Sequence, residues 1–331
     1  MTTTSTGQRS IAVFTSGGDS PGMNAAIRAV VRAGIYFGYA VYGIRRGFNG
    51  MIDGDIFEMK THDVSNIVQR GGTILKSARS KRFMTKEGME QAYNNIKPLN
   101  IEGLVACGGD GTFRGCFEFN QIYPDVNCIG VPCTIDNDLY GTDYCIGYDT
   151  AINTALEAID KIRDTADSHN RLFFVEVMGR DAGYIALRAG IGGGAEAILI
   201  PESRTSVEQL IAKLERGWNR NKASSIVIVA EGDEEGGAFE VAKKVKEKFD
   251  QYDTRVAVIG HMQRGGSPTC MDRVLASRLG VAAVEALVAR RTNVMVGSVH
   301  NAIVHTTFDK ATKHTQEINV QLLSLAEILS S

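Results

Sequence analysis

The sequence predicts an α/β fold of two lobes built on mainly parallel sheets, and three observations carry that expectation. Short apolar runs alternate with helical stretches along almost the whole chain, the rhythm that buries a parallel sheet beneath helices on both faces. The chain has 331 residues, enough for two hydrophobic cores rather than one. Turns marked by glycine or proline punctuate the alternation, at Gly17-Gly18, Gly108-Gly109 and Gly265-Gly266 among the 36 glycines.

Taken in order, Ile11–Thr15 reads as a buried strand, and Met23–Gly34 as a helix entered through Pro21 in its first turn. Tyr39–Ile44 and Leu104–Cys107 are further strands. Thr150–Asp164 is helical because Ile152, Ala155, Leu156, Ile159 and Ile162 recur at helical spacing. Leu172–Met178, Ala197–Ile200, Ser225–Ala230 and Arg255–Ile259 are apolar strands, and Val207–Trp218, Glu240–Phe249 and Val274–Arg290 are helices. No Pro/Ser-rich linker or internal repeat divides the chain. The divide is expected near Gly147, with a second break at Gly265-Gly266-Ser267-Pro268. That gives one lobe from 1–147 plus about 262–310, and another from 148–261 plus a tail of about 311–331.

Composition excludes several function classes. Apolar residues make up 44%, charged residues 22%, and the net charge is −2, so no global field draws the chain to nucleic acid or a membrane surface. The six cysteines show no Cys-x-x-Cys spacing and the six histidines no paired ligand spacing. The cysteines read as small buried hydrophobes of a reducing compartment. Met1–Gln8 is polar and Thr-rich, without the regions of a signal peptide. No apolar run approaches the roughly 20 residues that span a bilayer. A cytoplasmic protein is expected.

Four constellations carry chemistry. Strand Ile11–Thr15 runs through Ser16-Gly17-Gly18-Asp19-Ser20-Pro21-Gly22 into a helix, and its unpaired amides suit an anion such as phosphate. Gly108-Gly109-Asp110-Gly111-Thr112 repeats the device after a second strand, with Asp110 able to reach a magnesium ion. Thr134-Ile135-Asp136-Asn137-Asp138 sets two carboxylates two residues apart. In extended chain both would face one substrate, and their mutual repulsion would suit one of them to act as a base. Arg171, Arg180, Arg255 and Arg264 fall at strand ends in the second half, near Glu231 and His261. Arginines so placed can grip a sugar phosphate, with Glu231 accepting from sugar hydroxyls.

These segments resemble the phosphofructokinase A-type family, the bacterial ATP-dependent group, from Ile11 to about Asn301. The motifs are Thr-Ser-Gly-Gly-Asp-Ser-Pro-Gly-Met-Asn-Ala at 15–25, Arg-Gly-Gly-Thr at 70–73 and Gly-Gly-Asp-Gly-Thr at 108–112. Thr-Ile-Asp-Asn-Asp at 134–138, Glu-Val-Met-Gly-Arg at 176–180 and His-Met-Gln-Arg-Gly-Gly-Ser-Pro at 261–268 complete the set. The resemblance implies two Rossmann-like lobes and phosphoryl transfer from Mg-ATP to the 1-hydroxyl of fructose 6-phosphate. Asp136 would be the base, with Thr134, Arg79 and Arg180 completing the catalytic set. Gly17, Gly18, Arg79, Ser80, Gly109, Asp110, Gly111 and Thr112 would bind ATP, and Asp110 and Asp138 would organise Mg2+. The sugar phosphate would meet Thr134, Asp136, Met178, Gly179, Arg180, Glu231, His261 and Arg264. Arg171 and Arg255 would come from a neighbouring subunit of a homotetramer.

Pyrophosphate-using relatives commonly carry Asp at the position of Gly111 and Lys at that of Cys133, so the resemblance favours ATP, with the pyrophosphate form as the alternative. A thiol at Cys133, where the ATP group usually has Gly, would narrow the γ-phosphate pocket or make activity sensitive to oxidation. Arg28, Arg32, Arg163, Glu196, Arg220 and Lys222 match an effector site for ADP or phosphoenolpyruvate. Thr61 and Asn66 stand there in place of the family's Arg and Asp.

Overall fold

The computed structural model describes residues 9–169, 171–220, 224–314 and 317–330. They fall into two compact units. The first comprises the described residues within Met1–Thr134, Asp138–Asp149 and Arg264–Gln316, and the second those within Ile135–Asn137, Thr150–Gln263 and Glu317–Ser331. The first unit opens with β1 (Ser10–Thr15), α1 (Met23–Tyr36), β2 (Ala40–Ile44), α2 (Gly47–Asp53) and β3 (Ile56–Met59). It continues with α3 (Lys86–Ile96), β4 (Ile101–Gly108), α4 (Asp110–Ile122) and β5 (Asn127–Pro132). Helix α5 (Tyr148–Asp167) carries the chain into the second unit. There follow β6 (Arg171–Val177), α6 (Tyr184–Gly192), β7 (Ala197–Leu199), α7 (Val207–Asn219), β8 (Ser225–Ala230), α8 (Ala238–Lys246) and β9 (Asp253–Val258). The first unit resumes with α9 (Cys270–Val288), β10 (Val294–Val299), β11 (Ala302–Thr307) and α10 (Phe308–Lys313), and α11 (Val320–Leu329) belongs to the second.

The first unit's seven-stranded sheet runs β11-β10-β5-β4-β1-β2-β3. Its central pairings are parallel, and only the edge pairs β2/β3 and β10/β11 are antiparallel. Both faces are covered, which is why β1 reads as unbroken apolar sequence: Ile11 and Val13 join one core cluster while Ala12 and Phe14 join the other. Helices α1 and α9 close on one face, and a side chain at Gly280 would meet Ala29 Cβ at 2.7 Å. The second unit's sheet, β7-β8-β6-β9, is wholly parallel, and Phe174, Leu210, Val227 and Val241 pack in its core. The mainly parallel α/β architecture is therefore present. None of the described helices is long and apolar enough to cross a membrane.

Candidate active site

In the first unit, β1 lies between β4 and β2. The chain leaves β1 toward β2 on one side and leaves β4 toward β5 on the other, so the strand order reverses between β1 and β4. Loops leaving the carboxyl ends of strands at such a reversal open a ligand crevice. The two glycine turns of the sequence are these loops. Gly17 and Gly22 hold φ of 86° and 105°, the left-handed region that favours glycine. The loops are also tied together: Ser16 N donates to the Cys107 carbonyl at 3.0 Å, and Thr112 Oγ1 donates to the Ser16 carbonyl at 3.3 Å. A side chain at Gly108 would sit 2.4 Å from Thr112 Oγ1 and 2.7 Å from the Ser16 carbonyl oxygen, so this position must be glycine.

Gly109 caps the amino end of α4, and Asp110 to Thr112 form its first turn. The amino end of a helix carries a partial positive charge that favours an anion. Asp110 pairs with Arg114 at 3.1 Å, and no heavy atom lies within 4 Å of a Cβ built on Gly111. Arg79 and Ser80 follow a segment pinned to the first loop, where Ser77 Oγ donates to the Gly17 carbonyl at 2.7 Å and Gly17 N to the Ala78 carbonyl at 3.4 Å. Arg264, expected with the sugar-phosphate residues, belongs to the first unit and lies on the first loop. Its Nη1 donates to the Asp19 carbonyl at 3.3 Å and would stand 2.8 Å from a Cβ at Gly18.

The acid run departs from the extended chain expected of it. Asn137 holds φ 55°, a left-handed conformation that asparagine tolerates. The chain thus turns between Asp136 and Asp138, and the rule that residues two apart point the same way does not apply. Asp136 is buried at 7% exposure and falls in the second unit, while Thr134 and Asp138 fall in the first, both partly exposed.

Cys133 also corrects an expectation. Its side chain is 1% exposed in the apolar cluster with Cys107, Val131 and Ile146 rather than on a phosphate pocket. Burial, reinforced by the neighbouring Cys107 thiol, pushes its proton affinity well up. A thiol held protonated in a core is a poor target for oxidants.

In the second unit the carboxyl ends of the adjacent parallel strands β6, β8 and β9 bring a second set together. Glu231 Oε1 accepts from the Arg180 amide at 2.7 Å and the Gly179 amide at 3.3 Å, so the carboxylate braces the Met178-Gly179-Arg180 turn. Gly179 holds φ 150° and Arg180 φ 57°. Gln263, fully buried in the His-Met-Gln-Arg motif, accepts from the Met178 amide at 2.8 Å and donates to the Ala151 carbonyl at 3.4 Å. Neither Gln263 nor Ser77 was singled out by sequence reasoning; Gln263's position inside that motif was the available signal. His261 is exposed on the turn of 3₁₀ helix Gly260–Arg264. Arg171 and Arg255 share Asp253, at 3.2 and 2.9 Å.

Of the residues matched to an effector site, Arg28 and Arg32 lie on α1 in the first unit. In the second unit Glu196 and Arg220 line a cavity of about 110 Å³ with Lys213, Arg216, Leu329 and Ser330. Arg163 donates to the Gly193 carbonyl and, at 3.0 Å, to that of Gly194. Lys222 lies outside the described residues. Among the described residues no three His, Cys, Asp or Glu side chains cluster to hold a metal by themselves. Magnesium does not require such a cage: it keeps water ligands and binds through one or two carboxylates plus phosphate oxygens. The donor set of Asp110 and Asp138 is of that kind.

Comparison with known proteins agrees with this arrangement. A protein from Bacteroides thetaiotaomicron named ATP-dependent 6-phosphofructokinase 2 is 56% identical over 320 residues, covering 97% of this chain and 98% of the relative. One from Thermus thermophilus named ATP-dependent 6-phosphofructokinase 1 is 55% identical over 320 residues, covering 97% and 99%. The solved phosphofructokinase of Saccharomyces cerevisiae superposes with a TM-score of 0.89 at 35% identity, covering 98% of this chain and 48% of that one, so this chain spans about half its length. The family model described as phosphofructokinase matches residues 10–287, which takes in both glycine loops, the acid run and the arginine-bearing strand ends: the chain belongs to the phosphofructokinase family.

Proposed function

We propose that the protein is an ATP-dependent 6-phosphofructokinase, transferring the γ-phosphoryl group of ATP to the 1-hydroxyl of fructose 6-phosphate. The products are fructose 1,6-bisphosphate and ADP. The observation that carries this reading is the pair of glycine loops at the strand reversal, with open space around Gly111 where a nucleotide's phosphates can lie. The pyrophosphate-dependent alternative is not favoured, because the near-full-length relatives bear the ATP-dependent name. An assay coupled to fructose 1,6-bisphosphate formation tests the assignment: turnover with ATP and none with pyrophosphate is expected, and the reverse would refute it.

In this reading Gly17, Gly18, Gly109, Gly111 and Thr112 line the phosphates of ATP, and Arg79 and Ser80 contact the nucleotide. Asp136 accepts the proton of the attacking hydroxyl, and Thr134 lines the path of the transferred group. Arg180 and Arg79 offset its charge, since phosphoryl transfer rests on positioning and electrostatic stabilisation. Asp110 and Asp138 would hold Mg2+, which would supply charge neutralisation of the polyphosphate. Met178, Gly179, Arg180, Glu231, His261 and Arg264 hold the sugar phosphate, with Arg171 and Arg255 serving a neighbouring subunit's site in a homotetramer. Effector binding at Arg28, Arg32, Arg163, Glu196, Arg220 and Lys222, by ADP or phosphoenolpyruvate, belongs to the same proposal, as does a cytoplasmic location. Initial rates with and without each effector, and sedimentation of the purified protein, test those parts.

A further inference from the structure

Asn24, at the start of α1, is 1% exposed, and its side-chain amide is used from both ends. Nδ2 donates to the Arg70 carbonyl at 3.0 Å and the Gly71 carbonyl at 3.1 Å, while Oδ1 accepts from the Ile74 amide at 2.8 Å. Both amide protons and an acceptor lone pair are engaged, so the network itself fixes which end is nitrogen. The stretch it grips, from Gln69 to Ala78, contains neither helix nor strand, so its path depends on ties of this sort.

Other ties act on the same stretch. Thr15 Oγ1 donates to the Lys76 carbonyl at 2.8 Å and lies 3.0 Å from Thr73 Oγ1, and Ser267 Oγ donates to the Gln69 carbonyl at 2.8 Å. Gly71 is pressed against Gly266, whose carbonyl oxygen would stand 2.2 Å from any added Cβ. Three glycine-bearing motifs thus meet around one asparagine, and the gripped stretch runs straight into Arg79 and Ser80.

We propose that Asn24 is a positioning residue for the nucleotide, setting the course of residues 70–78 and through it the placement of Arg79 and Ser80. Asn24 has no contact with substrate in this account; it acts through Arg79. The inference rests on the reading of Arg79 as an ATP contact. A buried amide with three partners has no substitute of the same shape and chemistry, so truncation frees the stretch to shift. A displacement of about an ångström in a binding group is enough to cost tenfold or more.

Asn95 supplies the control for a purely structural role. Its Nδ2 likewise donates to two consecutive carbonyls, those of Met51 and Ile52, at 3.0 and 2.8 Å. It stands at the end of α3, just before β4 begins, and so at the end of the sheet remote from the glycine loops. Steady-state kinetics and urea unfolding of the full chain are measured for Asn24→Ala, Asn24→Asp, Asn95→Ala and Arg79→Ala. Asn24→Ala and Asn24→Asp are expected to raise the ATP KM about tenfold and to leave the fructose 6-phosphate KM within about twofold. Asn24→Asp keeps the acceptor for Ile74 but faces two carbonyls with a carboxylate, so it does not rescue. Asn95→Ala is expected to lose comparable stability with a normal ATP KM.

An unchanged ATP KM in the Asn24 variants beside a raised one in Arg79→Ala overturns the inference alone. An unchanged ATP KM in Arg79→Ala overturns the reading of the nucleotide site, and the inference with it. An equal rise in Asn95→Ala reduces Asn24 to a stability residue. If Asn24→Ala is insoluble, Asn24→Ser is read in its place, and a normal ATP KM there overturns the inference.

Discussion

The Asp272 carboxylate accepts a 2.8 Å hydrogen bond from the amide of Gly147, 125 residues earlier in the chain. Asp272 is 1% exposed in the first turn of α9, where its own amide donates to Thr269 Oγ1. Thr269 Oγ1 in turn donates to Asp149 Oδ2 at 2.6 Å. The amino ends of α5 and α9 are fastened to each other directly behind the first glycine loop, since a Cβ on Gly147 would lie 2.6 Å from that of Ser20. Burying a carboxylate is costly unless it is hydrogen-bonded, and here the bond spans two distant segments.

Asp272→Ala should therefore destabilise the protein by about 2 kcal/mol, because it leaves the buried Gly147 amide without its acceptor. Asp272→Asn keeps an acceptor of the same shape and should lose much less. Urea unfolding of the two variants checks the difference; equal losses would show that the acceptor is not what matters.

The second glycine turn makes opposite forecasts for two of its members. Gly108→Ala should collapse soluble expression, because the new methyl would overlap Thr112 Oγ1 and the Ser16 carbonyl, and the backbone of both loops would have to move. Gly111→Asp should fold with near-normal stability, since nothing lies within 4 Å of the added Cβ. Its carboxylate would occupy the space assigned to the nucleotide and repel phosphate, so the ATP KM should rise at least about tenfold. Circular dichroism and ATP kinetics on both proteins check the pair.

How much of this was legible in the sequence depends on how local each signal is. Strand β8 could be read because both sheet faces are covered and every residue from Ser225 to Ala230 is buried. Strand β5 was not legible: it carries Gly130 and ends on Pro132, residues that signal turns. Glycine is required there because the Phe113 ring would stand 2.5 Å from a side chain. The two glycine loops were legible as phosphate-type turns because strand, glycines and helix are contiguous. The turn at Asn137 was not, since asparagine permits a left-handed conformation without demanding it. Asn24 and Asp272 make their decisive bonds to segments 46 to 125 residues away, and no periodicity reports such pairings.

Thiol chemistry should separate one cysteine from five. Cys270 is exposed, and Cys107, Cys116, Cys128, Cys133 and Cys145 are buried. Burial, with the Cys128 thiol adjacent, pushes the Cys116 proton affinity well up, as burial beside Cys107 does for Cys133. Both therefore stay protonated through the neutral range, and the thiolate that reacts is scarce. A disulfide reagent should titrate about one thiol per native chain and all six after unfolding. Peroxide should reduce activity no more in the parent protein than in Cys133→Ala; greater loss in the parent would place Cys133 within reach of oxidant.

The assignment of Asp136 makes the sharpest demand. Its carboxylate is nearly removed from solvent, between buried Ile135 and Asn137, so a proton acceptor there works with little competition from water. Asp136→Asn keeps the shape and loses the capacity to take a proton from the attacking hydroxyl. General-base removal costs roughly 100- to 10,000-fold. The variant should show kcat lowered by that factor, with the KM for ATP and for fructose 6-phosphate each within about threefold of the parent. A drop in kcat and kcat/KM together marks an interaction made in the transition state. A variant that turned over normally would remove Asp136 from the chemistry. A variant that lost fructose 6-phosphate affinity with kcat intact would make it a binding group instead.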